Sequence, residues 1–204
     1  FVFALTGLIA AFSLQAAEPA QSPARTGTYY GAQATEYPAW FKNSFLDLRE
    51  DVKEAKQTGK RVMMLFNQDN CPYCSALVER NLSQREIETT MREKFDVIAL
   101  NLWGDRDVVG LDGKPYTEKS YGAALKIQFT PSLIFLDESG DIVLRLNGYV
   151  PPARMQAALD WVGGRMEQKT PFRDFVAERE RDLPKQASGD MVPQEFFLKN
   201  ISDL

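Results

Sequence analysis

Residues 61–74 read RVMMLFNQDNCPYC. Arg61 to Phe66 is a short apolar run bounded by polar residues, the pattern of a strand buried on both faces inside a sheet. Four polar residues later comes Cys71-Pro72-Tyr73-Cys74. From Ser75 to Lys94, and on to Phe95, the apolar residues Leu77, Leu82, Ile87, Met91 and Phe95 predict helix with a break near Ser83. The cysteine pair therefore falls at a strand-to-helix junction.

Upstream, Ser44 followed by Asp47 resembles a capping box, opening a helix with Phe45, Leu48, Val52 and Ala55 on its apolar face and Gly59 at its end. Downstream, Val97 to Trp103 is the next expected strand, 104–115 (GDRDVVGLDGKP) a turn-rich excursion, and Thr117 to Lys126 a helix. Ser132 to Leu136, a turn at Asp137 to Gly140, and Ile142 to Leu146 predict a hairpin. Pro151-Pro152 open a last helix through about Glu167, with Met155, Leu159, Trp161 and Val162 as its buried stripe. One helix followed by β-α-β-α-β-β-α gives an α/β fold, a central mixed β-sheet flanked by helices.

Composition narrows the chemistry. The chain has 204 residues, 44% apolar and 25% charged, as an ordinary globular protein does. With 24 Lys+Arg against 28 Asp+Glu the net charge is −4, so no basic surface invites nucleic acid. Histidine is absent, which removes the usual base, metal ligand and pH switch. The two cysteines are the only thiols.

At the junction Cys71 takes the N-cap position and Pro72 takes N1, where a missing N–H costs nothing. The Cys71 thiolate then faces the free N–H groups of Tyr73 and Cys74 and the positive end of the helix dipole. Such placement lowers a thiol pKa from about 8.5 into the roughly 3.5–7.5 range of redox CxxC pairs. Cys74, one turn further in, is expected to be more buried and less acidic. Cys71 is thus the attacking sulfur and Cys74 the resolving one. Tyr73 either shapes the substrate face or covers the start of the helix.

Other readings are weaker. Zinc needs about four ligands, and only carboxylates remain, so no metal is expected. A purely structural disulfide across two residues cross-links almost no chain, and an inert buried thiol pair does not explain the junction. Asp105, Asp107, Gly110 and Asp112 hint at a calcium loop, but Val109 and Tyr116 stand where oxygen ligands are needed. The excursion is expected to be a solvated loop near the site. Thr130-Pro131, directly before a strand, is a candidate cis bond. In that form it places the Thr130 backbone beside Cys71, where it offers N–H and C=O to an extended substrate.

CPYC after a buried strand, TP before the hairpin and the final helix together resemble the thioredoxin superfamily, over Tyr37 to Gln168. LFNQDNCPYC and LDGKPYTEKSYGAALKIQFTPSLIFLDESGDIVLRLNGYVPP resemble more closely the secreted bacterial thioredoxins of the SoxW type. The resemblance implies a thioredoxin fold and a thiol–disulfide oxidoreductase without a bound cofactor. It would act on disulfide-bearing proteins outside the cytoplasm, with a membrane thiol-transfer protein as electron donor. Cys71 and Cys74 would be catalytic; Pro72, Tyr73, Thr130 and Pro131 would bind substrate. Glutaredoxin-like activity, isomerase activity and a redox-inert partner-binding module are the alternatives. Where cytoplasmic thioredoxins carry a buried aspartate six residues before the first cysteine, this chain has Leu65, so Cys74 must lose its proton by another route, such as water. The usual Trp before that cysteine is Asn70, and Asp69 is expected to be an exposed turn residue.

The ends read differently. Phe1 to Ala17 carries no charge and is expected to be a secretory signal core, with a cut near Ala16 or Ala17 and a periplasmic destination. A retained anchor is the alternative, although about 25 Å of helix is short for a bilayer core of roughly 30 Å. No initiator Met or basic segment precedes this run, so the chain is expected to begin short of its natural start. Residues 18–36 form a Pro- and Ala-rich linker to a domain over 37–168. Residues 169–204 are an extension in which Phe172, Phe175, Val176 and Arg179 suit a short amphipathic helix.

Overall fold

In the computed structural model, which describes residues 35–182, Arg61–Asn67 forms β1, a strand buried along its whole length. Side chains alternate across a strand, and here the two faces feed two cores. Met63 and Leu65 enter one, with Ile87, Met91, Phe135 and Leu159. Val62, Met64 and Phe66 enter the other, with Leu48, Val52, Ile98 and Ile134. That double burial explains why the sequence shows an unbroken apolar run instead of alternation. The expected signal segment over 1–17, most of the linker and residues 183–204 lie outside the described residues.

The main sheet has the order β2-β1-β5-β6, with β2 over Phe95–Asn101, β5 over Ser132–Leu136 and β6 over Ile142–Asn147. β2 runs parallel to β1, with Met63 opposite Val97; β5 is antiparallel to β1, and β6 to β5. Helices α1 (Leu48–Gln57), α2 (Pro72–Ala76), α3 (Arg85–Lys94), α4 (Glu118–Ala124) and α5 (Pro152–Gly163) surround it. The mixed sheet flanked by helices is the expected arrangement. A sixth helix, α6 (Phe172–Asp182), packs on α5 through Trp161, whose ring meets Phe172 edge-on at 5.5 Å.

Three local expectations need correction, while the helical break expected near Ser83 is present between Leu82 and Arg85. The cap of α1 is Asp47, whose carboxylate accepts from the N–H groups of Arg49 and Glu50, a contact worth about 1 kcal/mol. Ser44 instead donates to Asp51, and Phe45 lies fully exposed while Leu46 turns inward at φ 63°. The helix after Cys74 passes through a π-helical turn, Leu77–Leu82, which carries Asn81 inward to donate to the Val150 carbonyl at 2.9 Å. The excursion is not a plain loop: Asp107–Val109 (β3) pairs with Pro115–Thr117 (β4), and Val108 is buried. Three-residue strands are too short to leave a periodic signal. Finally, α5 stops at Gly163; Arg165 is left-handed and Met166–Gln168 forms a 3₁₀ turn.

Candidate active site

Two strand ends and a turn converge on Cys71. The ends of β1 and β2 are stapled together: the Leu102 N–H donates to the Asn67 carbonyl at 2.7 Å, and the Asn67 amide donates to the Leu100 carbonyl at 3.1 Å. Gln68 to Asn70 then turn the chain, with Asp69 and Asn70 exposed and Asn70 at φ 56°. Asn tolerates that left-handed conformation far better than a bulky residue does, which accounts for its place before Cys71.

Cys71 is the N-cap of α2 and Pro72 its first residue, as the sequence suggested. Cys71 and Cys74 form a disulfide, with Cα atoms 5.2 Å apart. The Cys74 N–H donates to Cys71 Sγ at 3.1 Å. A second donor comes from across the sheet: the Thr130 hydroxyl lies 3.4 Å from the same sulfur. Cys71 is 3% exposed and Cys74 0%, so both are buried, while Pro72 and Tyr73 between them are exposed. Leu65, six residues before Cys71, is fully buried in the apolar core.

The turn holding Thr130 is fixed from both sides. The Thr130–Pro131 peptide is cis. Buried Ser132 donates its hydroxyl to the Phe129 carbonyl at 2.7 Å, and the Gly148 N–H donates to the Pro131 carbonyl at 2.7 Å. Sequence reading anticipated the Thr130 backbone beside Cys71; it missed the hydroxyl and the residues that seat it. No local pattern announces a contact across 59 positions.

A cluster of charged groups lies away from the cysteines. At the opposite end of β1, the Arg61 guanidinium bonds both Glu138 oxygens (3.0 and 2.8 Å) and Glu167 (2.6 Å), and it pulls the Glu138 carboxyl down to about 2. Among the described residues no group of three or more His, Cys, Asp or Glu is placed to hold a metal ion.

A sulfur held by two hydrogen-bond donors, bonded to a partner one helical turn on, is built to accept and release negative charge. That is the requirement of thiol–disulfide exchange. A family model for the thioredoxin-like domain matches residues 48–163, more than half of the chain. No curated protein matches the sequence. A thioredoxin-fold protein from Helicobacter pylori is similar in structure at a TM-score of 0.53 and 18% identity, over 61% of this chain and 87% of that one. A thioredoxin from Thermus thermophilus gives 0.46 and 22%, over 57% and 84%. The oxidised C-terminal domain of DsbD from Neisseria meningitidis gives 0.42 and 15%, over 56% and 91%. With the family model covering the sheet, the cysteine pair and the turn that faces it, the chain belongs to the thioredoxin-like domain family.

Proposed function

We propose that the protein is an extracytoplasmic thiol–disulfide oxidoreductase that reduces or exchanges disulfides in partner proteins. The observation that carries the reading is the pair of donors on Cys71 Sγ, from Cys74 N–H and the Thr130 hydroxyl. Both strengthen as the sulfur becomes anionic, because charge-assisted hydrogen bonds are roughly twice as strong as neutral ones.

In the reduced state the Cys71 thiolate attacks one sulfur of a partner's disulfide. A mixed disulfide forms, and the partner's other sulfur leaves as a thiolate and takes a proton. Cys74, deprotonated in turn, attacks the Cys71 sulfur. The partner departs with two thiols, and the electron pair it gained leaves the Cys71–Cys74 disulfide behind. A thiol donor must then restore the dithiol. Pro72 and Tyr73 line the approach, while Thr130 and Pro131 dock the partner's extended chain. No buried acid stands at Leu65, so water is the proton acceptor for Cys74 in this scheme.

The uncharged stretch 1–17 and the resemblance to secreted bacterial thioredoxins of the SoxW type support a periplasmic setting with a membrane thiol-transfer protein as donor. Covalent capture tests the reading. Cys74→Ser protein mixed with a periplasmic extract should retain partner proteins through Cys71, released by a reductant; capture of none contradicts it.

The Thr130 hydroxyl has its own test. Thr130→Val removes one donor, so the Cys71 thiol pKa should rise by about half to one unit, where one unit is about 1.4 kcal/mol. The dithiol form loses the same stabilisation, so the reduction potential should fall by roughly 15–30 mV. Thiolate absorbance against pH and equilibration with glutathione measure the two.

A further inference from the structure

Among the described residues, four large apolar side chains are markedly exposed: Phe45, Tyr73, Trp103 and Phe129. Tyr73 belongs to the cysteine motif and Phe129 to the turn before Thr130. Trp103 belongs to neither, yet it is 63% exposed and held firmly. Its indole N–H donates to Gln68 Oε1 at 3.0 Å, and its backbone N–H to Asn101 Oδ1 at 3.0 Å. The Lys119 ammonium stands 5.5 Å from the ring centroid, within cation–π range.

The support beneath is equally specific. Buried Glu118 accepts from the Asn101 N–H at 2.8 Å and pairs with Arg106 at 2.6 Å. The Lys119 N–H donates to the Gly104 carbonyl at 3.0 Å, and a Cβ on Gly104 would collide with the Glu118 carboxylate. One helix start thus turns Glu118 inward to fix the loop and Lys119 outward to meet the indole. An aromatic ring immobilised while still exposed loses little entropy on binding, the property of an interface anchor.

We infer that Trp103 and Lys119 form a recognition point for the partner chain, favouring a segment with an apolar side chain next to a carboxylate. The inference rests on the exchange reading above. Gln68 and Cys71 are three residues apart, so their Cα atoms are at most about 11 Å apart. With the Gln68 side chain and its 3.0 Å bond to the indole added to that span, a partner chain extended at about 3.3 Å per residue covers it in about four or five residues. The indole takes the apolar side chain, and the ammonium, which has no ion-pair partner among the described residues, takes the carboxylate. A lysine at the same place in the partner meets like charge.

The test uses two synthetic peptides with the same internal disulfide. They differ only in carrying Leu-Glu or Leu-Lys pairs four to five residues from the exchanging cysteine on both flanks. Reduction by the full chain, recycled with dithiothreitol, gives kcat/KM for each. The Leu-Glu peptide should be favoured about fivefold, Lys119→Glu should reverse that preference, and Trp103→Ala should cut kcat/KM for the Leu-Glu peptide about tenfold, or about 1.4 kcal/mol. An unchanged preference in Lys119→Glu overturns the inference, as does an unchanged kcat/KM for the Leu-Glu peptide in Trp103→Ala. If the unaltered protein reduces neither peptide, the exchange reading itself fails.

Discussion

Cys71→Ser protein is expected to lose disulfide-exchange turnover by roughly 10³-fold or more, the scale seen when a nucleophile is removed. Cys74→Ser should also stop turning over, but for a different reason. Its Cys71 still attacks, and without a resolving sulfur the mixed disulfide persists. Incubated with a disulfide-bearing protein, Cys74→Ser should shift to the mass of a one-to-one adduct that collapses on adding dithiothreitol. Cys71→Ser should give no such band. The asymmetry follows from geometry: both cysteines are buried, at 3% and 0% exposed, but only Cys71 Sγ receives the Cys74 N–H and the Thr130 hydroxyl. Equal adduct yields from the two variants would show that the sulfurs have no division of labour.

The second large effect concerns stability and leaves the sulfurs untouched. Arg61 is 3% exposed and holds three elements together: Glu138 after β5, Glu167 in the 3₁₀ turn, and the Val162 carbonyl of α5 at 2.9 Å. Arg165 joins the cluster through Glu138. Removing one member of a buried ion pair costs about 3–5 kcal/mol when its partner is left buried. Here the carboxylates are a fifth to a quarter exposed, so about 2–3 kcal/mol is expected for Arg61→Met. Urea unfolding measures it.

The same cluster sets an acid limit. Hydrogen bonding to Arg61 lowers the Glu138 carboxyl from 4.5 to about 2 in the folded state. A folded value below the unfolded one means that the stabilisation is complete above pH 4.5 and is lost as pH falls from there toward 2. Allowing for solvent screening at a partly exposed group, about 1–2 kcal/mol should disappear across that window. Arg61→Met should flatten this part of the curve. Asp51 works in the opposite sense: burial raises its carboxyl despite the Ser44 and Lys42 contacts, so its contribution favours acid and fades as pH rises. An Arg61→Met curve as steep as that of the unaltered protein between pH 4.5 and 2 would contradict the assignment to this cluster.

How much of this was legible in the sequence depended on the range of the interaction. β1 announced itself through six consecutive apolar or long-stemmed residues, because both its faces are covered. Cys71 and Pro72 could be placed at the N-cap and first position because capping is a local rule. Local rules also misled: Ser44 and Asp47 both suit a cap, and only the inward turn at Leu46 decides for Asp47. β3 and β4 left no mark, since three-residue pairs are held by contacts such as the Val109 N–H to the Leu46 carbonyl, 63 positions away. The site divides in the same way. The cysteines were readable; the hydroxyl facing them, the Ser132 and Gly148 bonds that seat it, and the link from Gln68 to Trp103 depend on sheet register.

Titration of the reduced, unaltered protein tests the central claim most directly. Two donors aimed at one sulfur should hold the Cys71 thiol pKa within the range of about 3.5–7.5, so thiolate absorbance should already be substantial at neutral pH. A single transition at about 8.5 or above, the behaviour of an ordinary cysteine, would contradict it.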